Sequence, residues 1–200
     1  DSPENFLGYA GFKDAIPGYA NFIHRYPSHR PDWNAGDPNF TNITEDAKGI
    51  IGALNYLASE ELNSIYFLPM NLNGDARDTF PWVGPENTVY NKTHFNLGKL
   101  HQWNIVFEHA QRKGIFLHFV LSEIENELFM DFGALGTERR LFFKELIARF
   151  GYLNAMQFNL GEEPNYPVSR LIDFANYIRA LDSHRHPITI HTHLNNFAPY

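Results

Sequence analysis

The residues best suited to chemistry in this 200-residue chain are acidic and imidazole side chains in its last quarter. Glu162 and Glu163 are adjacent, and His191 and His193 are separated by a single threonine. A carboxylic acid can transfer a proton to or from a reacting group, whereas two imidazoles and a carboxylate can bind a divalent metal. The sequence therefore indicates acid–base chemistry or metal-assisted chemistry in these two segments.

Four amphipathic helices, each followed by a short apolar strand, are predicted along the chain. In the first helix, Ile50, Ile51 and Leu54 recur at helical spacing. The predicted pairs are Glu45–Glu60 with Ser64–Met70, Asn96–Lys113 with Ile115–Leu121, a helix behind Thr137 with Asn154–Leu160, and Val168–Leu181 with Pro187–His193. Strands that alternate with helices in this way predict a parallel sheet with right-handed crossovers.

The lengths of the connections favour a (β/α)8 TIM barrel over a doubly wound nucleotide-binding fold. Connections from helix to strand are short, whereas Asn71–Phe95 and Ser122–Gly136, which follow strands, are long. No glycine-rich phosphate-binding motif is present, and barrel enzymes place their chemistry in long loops at the carboxyl ends of the strands. The irregular first 44 residues are predicted to form another such loop, so that residues 1–200 make up one partial barrel.

Alternation of side chains along each strand predicts which residues face the inside of the barrel. In the strand Asn154–Leu160 the inward set is Gln157, Asn159, Gly161 and, where the chain stays extended, Glu163. Glu162 is then expected to point away. The same alternation directs His118, His191 and His193 inward. Because a barrel interior is packed, a functional site at its mouth best explains these polar residues.

Composition excludes several classes of partner. The net charge is −7 and the basic residues are scattered, so no stripe of positive charge is available to bind nucleic acid. The absence of cysteine excludes disulfides, thiolate metal sites and cysteine nucleophiles. No stretch approaches the roughly 18 apolar residues that a membrane span requires. We expect no cofactor, and the sequence leaves the oligomeric state open.

The segment Phe158-Asn-Leu-Gly-Glu-Glu-Pro164 resembles the end of the fourth strand in clan A glycoside hydrolases, where an apolar strand runs into Asn-Glu-Pro. Four other segments resemble a bacterial family of largely uncharacterised members of this clan: Asp1–Phe6, Gly49–Tyr56, Gln102–His109 and Glu145–Phe150. The resemblance extends over essentially the whole chain. It implies a secreted or periplasmic retaining glycosidase that acts on an oligosaccharide or polysaccharide.

The resemblance also implies a role for each of the two glutamates. Glu163 matches the general acid/base of the motif, and Glu162 stands where the clan has the Asn that contacts the sugar 2-hydroxyl. With Asn154–Leu160 as strand four, the chain is expected to hold strands two to five of eight. The clan's nucleophile ends strand seven, so it is expected beyond Tyr200, and residues 1–200 alone are expected to be inactive.

Further candidates for sugar contacts come from the loops and from the inward strand positions. Asp75 and Trp82 belong to a polar, aromatic loop suited to binding hydroxyls and stacking on a sugar ring. Glu125, close to Glu123, follows the second predicted strand. The strand positions add Glu162, Asn159, His118, His191 and His193, although a hydrogen-bonded structural role is also open to His118.

Two alternative functions stay open on the sequence alone. His191 and His193, with Glu163 one strand away, are compatible with a metal-dependent barrel hydrolase, whereas the glycosidase hypothesis needs no metal. The other alternative is a barrel that binds carbohydrate without cleaving it. A metal assay on the intact parent protein would separate the glycosidase from the first alternative, and a glutamate at the end of strand seven would separate it from the second.

Overall fold

The computed structural model describes residues 26–39, 46–74, 79–83 and 91–193. Its helices are α1 (Asp46–Ser59), α2 (Leu97–Arg112), α3 (Thr137–Phe150) and α4 (Val168–Leu181), and its strands are β1 (Ser64–Phe67), β2 (Phe116–Val120), β3 (Met156–Glu162) and β4 (Ile188–His191). Short 3₁₀ helices lie at Pro27–Asp32, Ile124–Asn126 and Asp131–Gly133. None of the helices in these ranges has the length and apolar character that a bilayer crossing requires.

The four strands form one parallel sheet in the order β1-β2-β3-β4. The register pairs Tyr66 with His118, His118 with Gln157, and Asn159 with Thr189. A helix connects each strand to the next, and consecutive strands are neighbours in the sheet. This arrangement confirms the predicted α/β fold and corresponds to part of a barrel wall.

One face of the sheet packs against the helices because alternate strand residues are apolar. Ile65, Leu117, Met156 and Phe158 are buried there. The aromatic centre of the core is formed by Phe67, Phe107, Phe119 and Phe150, whose contacting ring centroids lie 4.7 to 5.9 Å apart. Full burial of one such side chain contributes about 1.5 to 3 kcal/mol to folding. The polar alternate residues are left on the opposite face.

The segment from residue 26 to residue 39 packs against the helix layer. The Asn55 amide on α1 donates to Asp32 O at 2.8 Å and to Asp37 Oδ2 at 2.7 Å. Its Oδ1 lies 2.9 Å from Nε2 of His109, a buried residue near the end of α2. The prediction of a loop over the carboxyl ends of the strands is therefore wrong for these residues, and residues 1–25 and 40–45 lie outside the described ranges.

A buried ionisable pair fixes the entry into β4. Both Asp182 and His186 are at most 5% exposed, and Asp182 accepts the main-chain N–H groups of His184 and His186. The His186 ring places Nδ1 3.0 Å from Asp182 Oδ1 and Nε2 2.7 Å from Leu153 O. The connection from α4 to β4 is thereby joined to the connection from α3 to β3.

Candidate active site at the carboxyl ends of the strands

The polar face of the sheet carries side chains that contact one another from β1 to β4. The ring of Tyr66 on β1 meets the ring of His118 on β2 edge-on, with centroids 4.8 Å apart. The Tyr66 hydroxyl lies 3.2 Å from Nδ1 of His191 on β4. On β3, Gln157 and Asn159 both contact His118. Parallel strands thus bring residues 66 and 191 into one cluster.

Asn159 stabilises an irregularity near the end of β3. Its Oδ1 accepts the N–H of Gly161 at 3.1 Å and the N–H of His191 at 3.3 Å. The pairing of β3 with β4 shifts register between Asn159 and Glu162, so this side chain supplies an acceptor where the ladder of hydrogen bonds is interrupted. With Oδ1 occupied in this way, Nδ2 donates to Nε2 of His118 at 3.1 Å.

The ring of His118 lies between two side-chain amides of β3. Burial, together with the nearby charge of His191, lowers the pKa of His118. Its Nε2 lies 3.1 Å from Nδ2 of Asn159 and its Nδ1 lies 2.8 Å from Nε2 of Gln157, so both ring nitrogens face amide donors, and a neutral imidazole accepts from one of them. His118 is therefore suited to orienting its neighbours, which agrees with the structural role that the sequence left open.

Glu162 is the last residue of β3 and turns toward this cluster. Its Oε1 lies 3.5 Å from Nδ1 of His191, the same nitrogen that the Tyr66 hydroxyl contacts. Only 23% of the side chain is exposed. The prediction that Glu162 points away from the polar face is wrong, because the irregularity after Asn159 breaks the strict alternation on which it was based.

Glu163 follows the strand and adopts a left-handed conformation, with φ of +46°. Its N–H donates to His191 O at 2.7 Å, and its Oε2 lies 3.6 Å from Nδ1 of His193. With 44% of its side chain exposed, it is the more accessible of the two carboxylates. A non-glycine residue in this region costs about 1 to 3 kcal/mol, and such strain is concentrated at functional sites. The two glutamates thus each face one histidine from the end of β4.

Of the three loop candidates, Trp82 has a different position from the one expected. Trp82 is fully buried and packs against Phe95, Phe129 and Phe142, so the prediction that it stacks on a sugar is replaced by a role in the core. Glu125 is exposed in the 3₁₀ helix Ile124–Asn126. Asp75 lies outside the described residues.

Glu123, two residues before Glu125, is buried and has a structural role. It is 4% exposed, and its Oε1 accepts the Asn126 amide at 2.6 Å. Gly74 lies directly against this carboxylate, since a Cβ built on Gly74 would be 1.6 Å from Glu123 Oε1. Glu123 therefore connects the loops after β1 and β2.

Two members of the polar cluster were not among the candidates from sequence. Tyr66 alternates with the buried residues Ile65 and Phe67, and this local pattern already places it on the polar face. Gln157 belongs to the inward set of β3, but its contact with His118 depends on strand pairing.

The described residues do not support the metal-dependent alternative. In these ranges no three His, Asp or Glu side chains are grouped so that they could bind a metal ion. His191 and His193 face different carboxylates, Glu162 and Glu163 respectively, instead of converging on one point.

Comparison with known proteins shows a similarity of fold to solved structures and no match in sequence to a family model or a curated protein. No family model matches the chain. No curated protein matches it either. Among solved structures, similarity is found to a family 5 glycoside hydrolase from Bacteroides vulgatus, with a TM-score of 0.56 and 16% identity over 73% of this chain and 32% of that one.

Two further structures show the same similarity. A candidate glycoside hydrolase from Bacteroides vulgatus has a TM-score of 0.58 and 14% identity, with 70% of this chain and 31% of that one covered. A third glycoside hydrolase has a TM-score of 0.52 and 14% identity, with coverages of 71% and 32%. The chain thus spans about a third of the length of each of these proteins. Its fold is similar to that of part of these proteins.

Proposed function

We propose that this chain provides the acid/base side of a glycoside hydrolase active site, with Glu163 as the proton donor. One observation supports this most directly: an accessible carboxylate lies beyond the carboxyl end of β3, beside a polar sheet face, in a fold shared with glycoside hydrolases. The position agrees with the resemblance of Gly161-Glu-Glu-Pro164 to the acid/base motif of clan A.

In this proposal the reaction is retaining hydrolysis of an oligosaccharide or polysaccharide. Glu163 donates a proton to the leaving glycosidic oxygen and later removes a proton from the attacking water. A second carboxylate attacks the anomeric carbon. We place this nucleophile in the part of the barrel that residues 1–200 do not span.

The neighbouring residues receive positioning and binding roles. Glu162, directed by His191 and Tyr66, is proposed to accept a hydrogen bond from a sugar hydroxyl in place of the clan's Asn. His193 orients Glu163, while Asn159 and His118 form the floor of the site. Glu125 and Asp75 stay proposals for outer sugar contacts.

The experiment compares Glu163→Gln with Glu162→Gln in the intact parent protein. Glutamine keeps the shape of the side chain and removes the proton. Loss of general acid catalysis typically lowers the rate by about 10² to 10⁴, so we expect a fall of this size on natural substrates for Glu163→Gln. Aryl glycosides with good leaving groups need no protonation, so their first step should survive and azide should rescue the second.

The matched variant tests the assignment of the two glutamates. Glu162→Gln should weaken substrate binding without sensitivity to the leaving group and without azide rescue. If Glu163→Gln stays within a few-fold of the parent, or Glu162→Gln alone shows azide rescue, Glu162 is the acid/base. If sugars bind to the parent but no substrate is cleaved, the protein is a carbohydrate-binding barrel.

A further inference from the structure

A strained turn in the loop after β2 presents an aromatic ring to solvent. Three consecutive residues, Asp131, Phe132 and Gly133, have positive φ angles of 50°, 50° and 82°. The Phe132 side chain is 91% exposed. Phenylalanine gains from burial and disfavours the left-handed region, which glycine adopts without strain. The fold alone therefore gives no reason for phenylalanine at this position.

The turn is held in place by contacts with the start of α3. Asp131 Oδ2 accepts the main-chain N–H of Arg139 at 2.8 Å, and the main-chain N–H of Asp131 donates to Glu138 Oε2 at 3.1 Å. Lys92 contacts the same Glu138 oxygen at 3.2 Å. The fully buried Arg139 donates to Ala134 O at 3.2 Å. These contacts fix the backbone of the turn, so Phe132 is displayed on a rigid support.

The loop that carries this turn is also joined to the loop that begins at Glu163. Glu127 accepts the Asn165 N–H through Oε2 at 2.8 Å, and its main-chain carbonyl accepts the Tyr166 hydroxyl at 2.8 Å. Asn165 is two residues from Glu163. Both loops follow strands and lie at the carboxyl end of the sheet, as do the two glutamates. Phe132 is thus on the same side of the molecule as the candidate active site.

The surroundings of the ring suit a carbohydrate. A Cβ built on Gly133 would come within 3.0 Å of Leu128 Cδ2 and 3.1 Å of Arg170 Nη1, so an apolar side chain and a guanidinium flank the turn. Sugar rings have apolar C–H faces rimmed by hydroxyls, which an exposed aromatic ring beside a hydrogen-bond donor can bind. We propose that Phe132 is a sugar-stacking residue that binds a glycan chain extending from the active site.

This inference rests on the proposed function and adds a contact for the sugar chain in the loop after β2, outside the catalytic centre. A single sugar bound at Glu163 would not need a contact in the neighbouring loop. Affinity for a polysaccharide should therefore depend on Phe132, whereas affinity for its constituent monosaccharide should not.

The test is native gel electrophoresis of the intact parent protein in gels that contain xylan, mixed-linkage β-glucan, galactomannan or arabinan. Phe132→Ala removes the ring and keeps the left-handed backbone. The affinity for the polysaccharide that retards the protein should fall about tenfold or more, as expected when a ring that binding would bury is lost. Phe132→Trp should keep most of the affinity. Leu62→Ala, which truncates a 53% exposed side chain before β1, should leave it unchanged.

A second measurement tests the strain on its own. Phe132→Gly removes the ring and relieves the left-handed conformation, so it should weaken polysaccharide binding while raising the melting temperature by about 2 to 4 °C. A lower or unchanged melting temperature would contradict the argument that the fold does not select phenylalanine here.

The outcomes separate this inference from the proposed function. Retardation that survives Phe132→Ala overturns the stacking role alone and leaves the glycosidase proposal in place. If none of the gels retards the intact parent protein, the result would count against both the stacking role of Phe132 and the glycosidase proposal.

Discussion

At the scale of single residues, His109 makes the stability of the fold sensitive to acid. Burial is the main reason that the pKa of His109 falls from 6.5 to about 4. The Asn55 amide donates to two oxygens, so its Oδ1 accepts from His109 and the neutral ring carries its proton on Nε2. As the pH falls below 6.5 the unfolded chain takes up this proton first, and the free energy of unfolding decreases.

We predict that this one residue removes about 2 kcal/mol of stability between pH 7 and pH 5. Urea denaturation at both pH values would measure the loss. His109→Gln keeps a donor toward Asn55 and does not titrate, so the variant should lose correspondingly less stability over the same interval. An equal loss in both proteins would mean that other groups dominate the acid sensitivity.

At the scale of elements, the connection between α4 and β4 depends on Asp182. Its carboxylate accepts two main-chain N–H groups and faces the His186 ring in a buried environment. Removal of a buried acceptor leaves its donors unsatisfied, at a cost of about 1 to 3 kcal/mol each.

Asp182→Ala is therefore expected to lower the free energy of unfolding by about 3 kcal/mol or more. Hydrogen exchange should become faster in residues 184 to 191, because β4 loses its anchor to the preceding connection. Asp173→Ala, at an exposed position of α4, is the control and should change stability by less than about 0.5 kcal/mol. Equal effects of the two variants would contradict this role of Asp182.

At the scale of the whole molecule, an apolar groove of about 530 Å³ runs between α4 and β4. Leu171, Ile172, Ile188 and Ile190 line it, and Ile172 is 54% exposed. Within the described residues β4 is also an outer strand of the sheet. Exposed apolar surface beside an unpaired strand edge favours association between molecules.

We predict that a protein of these 200 residues self-associates as its concentration rises, and that Ile172→Lys reduces this association. Light scattering coupled to size exclusion would report the mass at each concentration. Leu62→Lys places the same charge at an exposed site near the other end of the sheet and should have little effect. A monomer that persists at high concentration would show that the groove does not mediate contacts.

The sequence by itself determined the four helix–strand units, their parallel pairing and the polar side of β2 and of β3 as far as Asn159. These features follow from periodicity, which is local: an apolar residue at every second strand position defines one buried face, and Tyr66 could have been assigned in the same way. The resemblance around Glu162 and Glu163 also indicated the correct fold.

Only the tertiary structure decided where the two glutamates point. The Asn159 side chain accepts an N–H from β4, 32 residues away in the chain, and the register shift beside it turns Glu162 toward His191 and leaves Glu163 in a left-handed conformation. Trp82 is likewise buried by rings from three separate segments. Alternation assumes a regular strand, and these features depend on contacts between residues that are distant in sequence, so no local pattern could specify them.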